Sequence, residues 1–198
     1  MQRDSARRTN KERTEATRIA LVKAARALFV KKGYADTATP EIVAAAKVTR
    51  GALYHHFADK ADLFRCVVMQ EAEAVARRIE QETEQPDSAL DAVMAGGEAY
   101  FAAMAVAGRA RLLLVDGPAV LGHAEMDRID KETGGEELRQ GLAYAISNGA
   151  LKGAPLDALT DILSAAFDRA ALAIADGAAV DDYKAAIRLI FSSLLGKG

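Results

Sequence analysis

The sequence predicts an all-α protein, and three observations support that fold class. Alanine and leucine are abundant among its 198 residues and only four are proline, a composition that favours helices over strands. Apolar residues recur at spacings of three and four along several segments, which is typical of amphipathic helices. Glycine and proline fall between those segments, where they end one helix and precede the next. A chain of this length can bury a sizeable apolar core.

The first predicted helix covers about residues 14–32. It contains neither glycine nor proline, and Gly33 follows it at the position where glycine commonly ends a helix. Lys31 and Lys32 lie in its last turn, where positive charge suits the helix dipole. Its apolar side chains share one face, which comprises Leu21, Ala24, Ala25, Leu28 and Phe29.

Two short helices are predicted next. Thr39 is the predicted N-cap of the second helix, which covers about residues 40–46 and starts with a proline. Thr49 is the predicted N-cap of the third helix, which ends near Phe57. Only the segment KVT separates these two helices, and the first helix precedes them as a support. This arrangement predicts a helix-turn-helix motif.

A long fourth helix is predicted from its cap at Asp59 to about Gln85, before Pro86. Glycine and proline then divide the rest of the chain into further helices, at about 87–107, 108–115, 118–131, 135–150, 156–176 and 180–195. We therefore expect an N-terminal three-helix bundle with the helix-turn-helix over residues 1–62. A larger helical domain is expected over residues 63–198.

Charge is distributed unevenly along the chain. Residues 1–60 contain 13 Lys and Arg against 6 Asp and Glu, whereas residues 61–198 contain 13 against 22. Attraction to phosphate is local to the surface that contacts it, so a basic N-terminal part on an acidic remainder is expected of a nucleic-acid-binding protein.

The third predicted helix carries an unusual stripe of side chains. Arg50 and Tyr54 are four residues apart, as are Gly51 and His55, so all four share one side of the helix. Glycine within a helix costs about 1 kcal/mol relative to alanine. That cost is explained if another surface approaches the helix closely, as the major groove of DNA approaches a recognition helix.

Lys60 lies in the first turn of the fourth helix, where the helix dipole disfavours a cation. A bound phosphate would reverse that preference, because the helix N–H groups and the ammonium would bind it together. Thr39, at the start of the second helix, is a candidate phosphate contact for the same reason. Simpler interpretations stay open, with Tyr54 and His55 as ordinary surface aromatic residues and His56 as a core residue.

The segment GYADTATPEIVAAAKVTRGALYHHFADKADLF resembles the DNA-binding signature of the TetR family of bacterial transcription regulators. The matching features are GY, a following T, and the pattern I-x-x-x-A-x-V-[ST]-x-G-x-[LI]-Y-x-[HY]-F-x-[SD]-K-x-x-L. The resemblance extends over about residues 19–63. Thr49 replaces the commoner serine and keeps its hydroxyl, whereas Lys47 stands where the family usually has a glycine in the turn.

This resemblance implies a ligand-responsive transcription regulator that binds double-stranded operator DNA as a homodimer. We expect a repressor that binds a palindromic operator and is released from it by a small-molecule effector. Activation of transcription stays open as the alternative. The residues that the resemblance implies as DNA contacts are Thr39, Thr49, Arg50, Gly51, Tyr54, His55, His56 and Lys60. Among them, Arg50 and His55 are the leading candidates for contacts with base edges.

The larger domain is expected to hold the effector and to form the dimer. Candidate residues for the effector pocket are Met94, Glu98, Phe101, Met104, His123 and Met126, although methionine and phenylalanine at helical spacing are also typical of ordinary core. The last two helices are expected to form a four-helix interface with their symmetry mates. Its predicted residues are Leu159, Leu163, Phe167, Ala170, Ile174, Ile187, Phe191 and Leu194.

Two rival functions were weighed against a regulator. An enzyme is suggested only by LLLVDGP, which reads as an apolar strand ending in a functional aspartate. The sequence has no GxGxxG, P-loop, GxSxG or HExxH motif, and one cysteine with three histidines gives no metal cluster. We therefore expect a non-enzyme without cofactor or metal. An architectural DNA-binding protein is the second rival, and the large acidic domain argues against it.

The expected location is the cytoplasm. No apolar run approaches the roughly 20 residues that a membrane helix needs, and no apolar stretch of signal-peptide type follows the basic N-terminus. Cys66 is the only cysteine, so no disulfide can form within the chain.

Overall fold

The computed structural model describes residues 10–82, 89–133, 137–147, 149, 151 and 153–195. All secondary structure in these parts of the chain is helical, which confirms the predicted fold class. The chain divides into two compact units, Met1–Val68 and Met69–Gly198, called here the head and the body. The division follows Val68, whereas the predicted boundary follows Asp62, and both positions lie within the same helix.

The head contains α1 (Asn10–Lys32), α2 (Thr39–Ala46), α3 (Arg50–His56) and the start of α4 (Lys60–Glu82). Helix α1 packs against both α2 and α3, and α2 packs against α3. The predicted end of α4 near Gln85 lies outside the described residues. The three-helix bundle with its two short, closely connected helices is therefore present as expected.

Two of the three predicted helix caps in the head are confirmed. The hydroxyl of Thr49 accepts a hydrogen bond from Ala52 N at 3.1 Å, and Asp59 Oδ1 accepts one from Asp62 N at 2.8 Å. The cap predicted at Thr39 is wrong, because α2 begins one residue earlier and Ala38 occupies the N-cap position. Ala38 has no side-chain acceptor, and Glu41 Oε2 instead accepts a hydrogen bond from Ala38 N at 3.1 Å.

The core of the head consists of apolar residues from all four helices. Those with at most 1% of their surface exposed are Leu21, Ala25, Phe29, Ile42, Leu53, Leu63, Phe64, Val67 and Val68. Phe29 and Phe64 meet edge to face with ring centroids 5.2 Å apart. Leu53 and Phe57, on the side of α3 opposite Arg50 and Tyr54, are both buried. This burial fixes which side of α3 faces outward.

The body begins with the second part of α4 and continues as a series of helices. They are α5 (Ala89–Met104), α6 (Arg109–Arg111), a π-helical turn (Leu112–Asp116), α7 (Gly117–Leu121), α8 (His123–Thr133), α9 (Glu137–Ser147), α10 (Leu156–Ala175) and α11 (Val180–Leu195). Helix α5 packs against α9, α10 and α11, and α10 also packs against α9 and α11. None of the described helices is long and apolar enough to cross a membrane.

The helix break predicted at Gly117 and Pro118 is wrong. The chain stays helical from Arg109 to Leu121 and breaks instead at Gly122, whose φ is 84°. Proline within an α-helix removes a hydrogen bond and crowds the carbonyl four residues earlier. Here the π-helical turn immediately precedes Gly117, and its wider winding changes which carbonyl lies opposite the proline ring.

The body core contains an aromatic cluster between α5, α10 and α11. Phe167 lies with its ring centroid 6.0 Å from Tyr100, 5.7 Å from Phe101 and 6.0 Å from Phe191. The Tyr100 hydroxyl donates a hydrogen bond of 2.6 Å to Asp168 Oδ1. Burial raises the pKa of the Asp168 carboxyl, so the tyrosine hydrogen bond offsets part of the cost of desolvating it.

A second polar pair in the body is the ion pair of Arg109 and Glu71. Arg109 Nε lies 2.8 Å from Glu71 Oε2, and both side chains are largely buried. The same guanidinium donates from Nη1 to the carbonyl oxygen of Ala103 at 2.7 Å. It therefore joins the body part of α4 to the end of α5 and the start of α6.

Candidate nucleic-acid interface

The outward side of α3 carries the stripe that the sequence predicted. Arg50, Gly51, Tyr54 and His55 are all exposed, and 45% of Tyr54 is accessible to solvent. The guanidinium carbon of Arg50 lies 5.5 Å from the centroid of the Tyr54 ring, which is within the range of a cation–π contact. The structure thus brings these side chains together on one face, and their contact with DNA stays a prediction.

Among the described residues, nothing gives Gly51 a steric reason to be glycine. A Cβ placed on it would meet only Thr49 Oγ1, at 3.9 Å, which is an ordinary van der Waals distance. Its φ is not in the left-handed region. Folding of α3 would therefore favour alanine by about 1 kcal/mol at this position. Packing of the described residues therefore gives no reason for a glycine at this exposed position of α3.

The turn between α2 and α3 is formed by a lysine in an unusual backbone conformation. Lys47 has φ 57° and ψ 41°, the left-handed region, where glycine is normally preferred. Its N–H donates to Ala44 O at 3.1 Å, and Val48 N donates to Val43 O at 3.0 Å. These two bonds close the end of α2. The turn therefore keeps the left-handed geometry although its usual glycine is absent.

His55 and His56, at the end of α3, differ in their surroundings. Their rings meet edge to face with centroids 5.3 Å apart, but His55 is exposed and His56 is half-buried. Burial, followed by the nearby His55 and Arg18, lowers the pKa of His56. The imidazole of His56 is therefore harder to protonate than an ordinary histidine.

Thr39 and Lys60, the two predicted phosphate contacts at helix starts, differ in how free their side chains are to bind a phosphate. Thr39 is in the first turn of α2 and is half-buried. Lys60 is engaged within the head, because its ammonium donates hydrogen bonds to the carbonyl oxygens of Tyr34 and Thr37. It also lies 4.1 Å from the centroid of the Tyr34 ring. Local sequence patterns do not indicate these internal contacts of Lys60, because its partners are 26 and 23 residues away.

The six candidates for an effector pocket do not share one environment. Met94, Phe101 and Met104 are buried in the body core, which is the ordinary role left open for them in the sequence analysis. Glu98 and His123 are exposed, and Met126 is half-buried. A surface depression of about 500 Å³ lies elsewhere in the body and is lined by Lys131, Arg139, Asp157 and Asp161. None of these four residues was predicted.

The residues predicted for the dimer interface divide into two groups. Leu163, Phe167, Ala170, Ile187 and Phe191 are already buried within one chain, because α10 and α11 pack against each other and against α5. Leu159, Ile174 and Leu194 are half-buried. Among the described residues, the large apolar side chains that α10 and α11 leave exposed are instead Ile162 at 67%, Val180 at 37%, Leu189 at 68% and Ile190 at 41%.

Comparison with known protein families agrees with both units. The profile described as "Bacterial regulatory proteins, tetR family" matches residues 21–67, which contain α2, α3 and most of the head core. The profile described as "Tetracyclin repressor-like, C-terminal domain" matches residues 90–197, which is more than half of the chain.

Individual relatives extend this agreement. The Transposon Tn10 TetC protein of Escherichia coli is 28% identical over 158 residues, 79% of each chain. The HTH-type transcriptional repressor BepR of Brucella suis biovar 1 (strain 1330) is 44% identical over 62 residues, which are 31% of this chain and 29% of BepR.

A solved structure gives the same result over nearly the whole chain. The crystal structure of a TetR-family transcriptional regulator from Pectobacterium atrosepticum is 30% identical, with a TM-score of 0.69, and the match covers 95% of this chain and 96% of that one. The helix-turn-helix of the head and the helical body are the two parts that the two profiles match. The chain therefore belongs to the TetR family of bacterial transcription regulators.

Proposed function

We propose that this TetR-family regulator represses transcription by placing α3 in the major groove of a palindromic operator, one helix from each subunit of a homodimer. The observation that carries the proposal is Gly51. It lies on the exposed face of α3, and no neighbour in the described parts of the chain requires a glycine there. A surface that approaches the helix as closely as a groove wall and its phosphates accounts for the missing Cβ.

The side chains around Gly51 divide into two proposed roles. Arg50 and His55 are proposed to contact base edges, because a guanidinium or imidazole donor matches the acceptors of guanine in the major groove. Thr49, Tyr54 and Thr39 are proposed to bind phosphate and to fix the register of the helix. The basic residues of the first 60 positions supply long-range attraction to DNA.

The proposed dimer uses the outward sides of α10 and α11. Ile162, Leu189 and Ile190 are exposed in the single chain, and their burial in a two-fold interface would remove apolar surface from water. Alanines on the same helices would let partner helices approach closely. A two-fold dimer places two copies of α3 at half-sites about 34 Å apart on one face of the duplex.

The proposed effector is a small molecule that binds the body and lowers operator affinity. Helix α4 is continuous from Lys60 in the head to Glu82 in the body, so it is the proposed element through which the two events are coupled. Linkage requires that operator DNA weaken effector binding by the same factor by which effector weakens DNA binding. Once an effector is known, calorimetric titration with and without operator tests this equality, and equal affinities together with DNA release would rule it out.

Selection from a random double-stranded DNA library tests the proposed function. The wild-type protein should enrich a palindrome whose half-sites are one helical turn apart. Arg50→Ala and His55→Ala should flatten the motif at particular positions, at about 1–3 kcal/mol per lost base contact. Arg77→Ala removes an exposed arginine of the body and is the matched control, with an unchanged motif.

The outcome of the selection separates the proposal from its rival. Binding that unrelated DNA competes away, with no enriched motif, would indicate an architectural protein and would contradict the proposal. An enriched motif that survives both α3 substitutions unchanged would locate base recognition elsewhere in the chain.

A further inference from the structure

Lys60 is the first residue of α4, the helix that follows the helix-turn-helix. Its side chain forms hydrogen bonds with the loop that precedes the helix-turn-helix. Helices α2 and α3 with their turn span residues 39–56, the loop at residues 33–38 connects α1 to α2, and α4 starts at Lys60. The Lys60 ammonium donates hydrogen bonds to the carbonyl oxygens of Tyr34, at 2.9 Å, and Thr37, at 3.0 Å. One side chain therefore joins the entry and the exit of the motif.

The loop that Lys60 binds has a defined conformation. It begins at Gly33 with φ 83°, and the buried hydroxyl of Thr37 donates to Gly33 O at 2.8 Å. The Tyr34 ring packs against Phe64, with centroids 5.0 Å apart, and against Phe29 at 5.7 Å. The Lys60 ammonium lies over the same ring, 4.1 Å from its centroid.

These contacts use most of the hydrogen-bonding capacity of the Lys60 ammonium. A lysine has three N–H donors, and two of them serve main-chain carbonyls that precede α2. The aromatic face below the ammonium adds a cation–π contact. We propose that Lys60 acts in DNA recognition as a positioning residue, which holds loop 33–38 and thereby the start of α2, and not as a phosphate contact. The inference rests on the proposed DNA-binding function of α3.

Two substitutions of Lys60 distinguish the two roles. Lys60→Met keeps the length of the side chain but removes its charge and donors. Lys60→Arg keeps the charge, but a planar guanidinium does not reproduce the donor geometry of an ammonium towards two carbonyls of one loop. A phosphate contact tolerates arginine, because arginine also binds phosphate, whereas a positioning residue tolerates neither change.

The experiment measures operator affinity of the full-length protein at several salt concentrations. We expect both Lys60 variants to bind at least about tenfold more weakly than the wild type, with the slope of log K against log salt unchanged, because no phosphate contact is lost. Lys23→Met, which removes an exposed lysine of α1, is the control for loss of one charge. It should bind within about threefold of the wild type.

The opposite pattern would overturn the proposal. If Lys60→Arg binds like the wild type and Lys60→Met lowers the slope by about 0.9 for each of two half-sites, the ammonium contacts phosphate. If Lys60→Met loses its helical circular dichroism, Lys60→Arg decides between the two roles. The positioning role also predicts that Tyr34→Leu binds the operator more weakly than the wild type, whereas Tyr34→Phe binds it with wild-type affinity.

A measurement without DNA separates this inference from the proposed function. Amide hydrogen exchange at Thr37, Glu41 and Ile42, which donate to Tyr34 and Ala38 carbonyls, should accelerate in Lys60→Arg by at least about tenfold. Unchanged exchange at these amides would refute the positioning role. Absence of specific DNA binding by the wild type would instead refute the function of α3 and leave the exchange result standing.

Discussion

Gly97 of α5 lies directly against the ring of Phe167 of α10. A Cβ on Gly97 would be 2.7 Å from Phe167 Cε1 and 3.1 Å from Cζ. The ring has little freedom to withdraw, because Phe167 is only 8% exposed and also contacts Tyr100, Phe101 and Phe191. The close approach of these two helices therefore depends on glycine at position 97.

Gly97→Ala is expected to destabilise the body. Overpacking of a filled core costs about 1–3 kcal/mol, which exceeds the roughly 1 kcal/mol that alanine contributes to the helix. Gly141→Ala is the control, because its Cβ would meet only Val93 Cγ2 at 3.7 Å, and it should not lower stability. Urea unfolding followed by circular dichroism measures both. A Gly97→Ala protein as stable as Gly141→Ala would show that the ring can move aside.

Lys47 in the turn of the helix-turn-helix gives a prediction about backbone strain. Lys47→Gly should unfold at equal or higher denaturant concentration than the wild type, since glycine adopts the left-handed conformation without a steric penalty. Lys47→Val should be less stable by about 1 kcal/mol or more, because a β-branched residue is poorly tolerated there. Urea unfolding measures the stability of both variants. A valine variant at least as stable as the glycine variant would contradict the left-handed conformation of residue 47.

His56 makes the stability of the head depend on pH. In the unfolded chain a histidine has a pKa of about 6.5, and burial with the nearby His55 and Arg18 lowers the pKa of His56 in the folded head. Just below pH 6.5 the unfolded state therefore binds more protons than the folded state, and the free energy of unfolding falls as pH falls. Below the folded-state pKa of His56 this contribution becomes constant.

His56→Gln should remove that part of the acid-side loss of stability. Urea unfolding at pH 7.5 and pH 5.5 gives the loss for the wild type and for the variant, and the variant should lose less. His123→Gln, which replaces an exposed histidine of the body, is the matched control and should lose as much as the wild type. An identical loss in His56→Gln and the wild type would show that the pKa of His56 is the same in the folded and unfolded states.

The proposed dimer gives opposite expectations for exposed and buried residues of α11. Leu189→Glu, at a position that is 68% exposed in the single chain, should yield a folded monomer that has lost specific DNA binding. Phe191→Glu, at a fully buried position, should unfold the body, because burial of an unpaired charge costs several kcal/mol. Sedimentation with circular dichroism separates the two results. A dimeric Leu189→Glu protein would place the interface elsewhere.

Local signals in the sequence predicted most of the helix ends of the head. Three helix ends were predicted from short sequence patterns: the end of α1 from Gly33 after two lysines, and the starts of α3 and α4 from Thr49 and Asp59. The structure has all three ends at the expected positions. Thr39 is not the cap, because α2 begins at Thr39 and Glu41, three residues after Ala38, accepts a hydrogen bond from Ala38 N. A carboxylate at that position was the signal that sequence reasoning passed over.

The body was predicted less well because its features depend on packing between distant residues. Proline at position 118 indicates a break by local rules, yet the preceding π-helical turn accommodates it. Apolar residues such as Phe167 and Leu189 look alike in sequence, and only the packing of α5 against α10 and α11 decides which is buried. The contacts of Lys60 with Tyr34 and Thr37 span more than twenty positions, beyond the reach of local patterns.

The central claim, that α3 is closely approached by DNA at Gly51, is tested most directly by Gly51→Ala. The added Cβ meets no atom of the described residues closer than 3.9 Å, so the variant should unfold at the same or a higher temperature, with a gain of up to about 1 kcal/mol. Its affinity for the selected operator, measured by fluorescence anisotropy, should nevertheless fall by at least about tenfold, or about 1.4 kcal/mol. Stability that is retained while operator affinity is lost is the result we predict. Wild-type operator affinity in a stable Gly51→Ala protein would contradict the placement of α3 against the DNA.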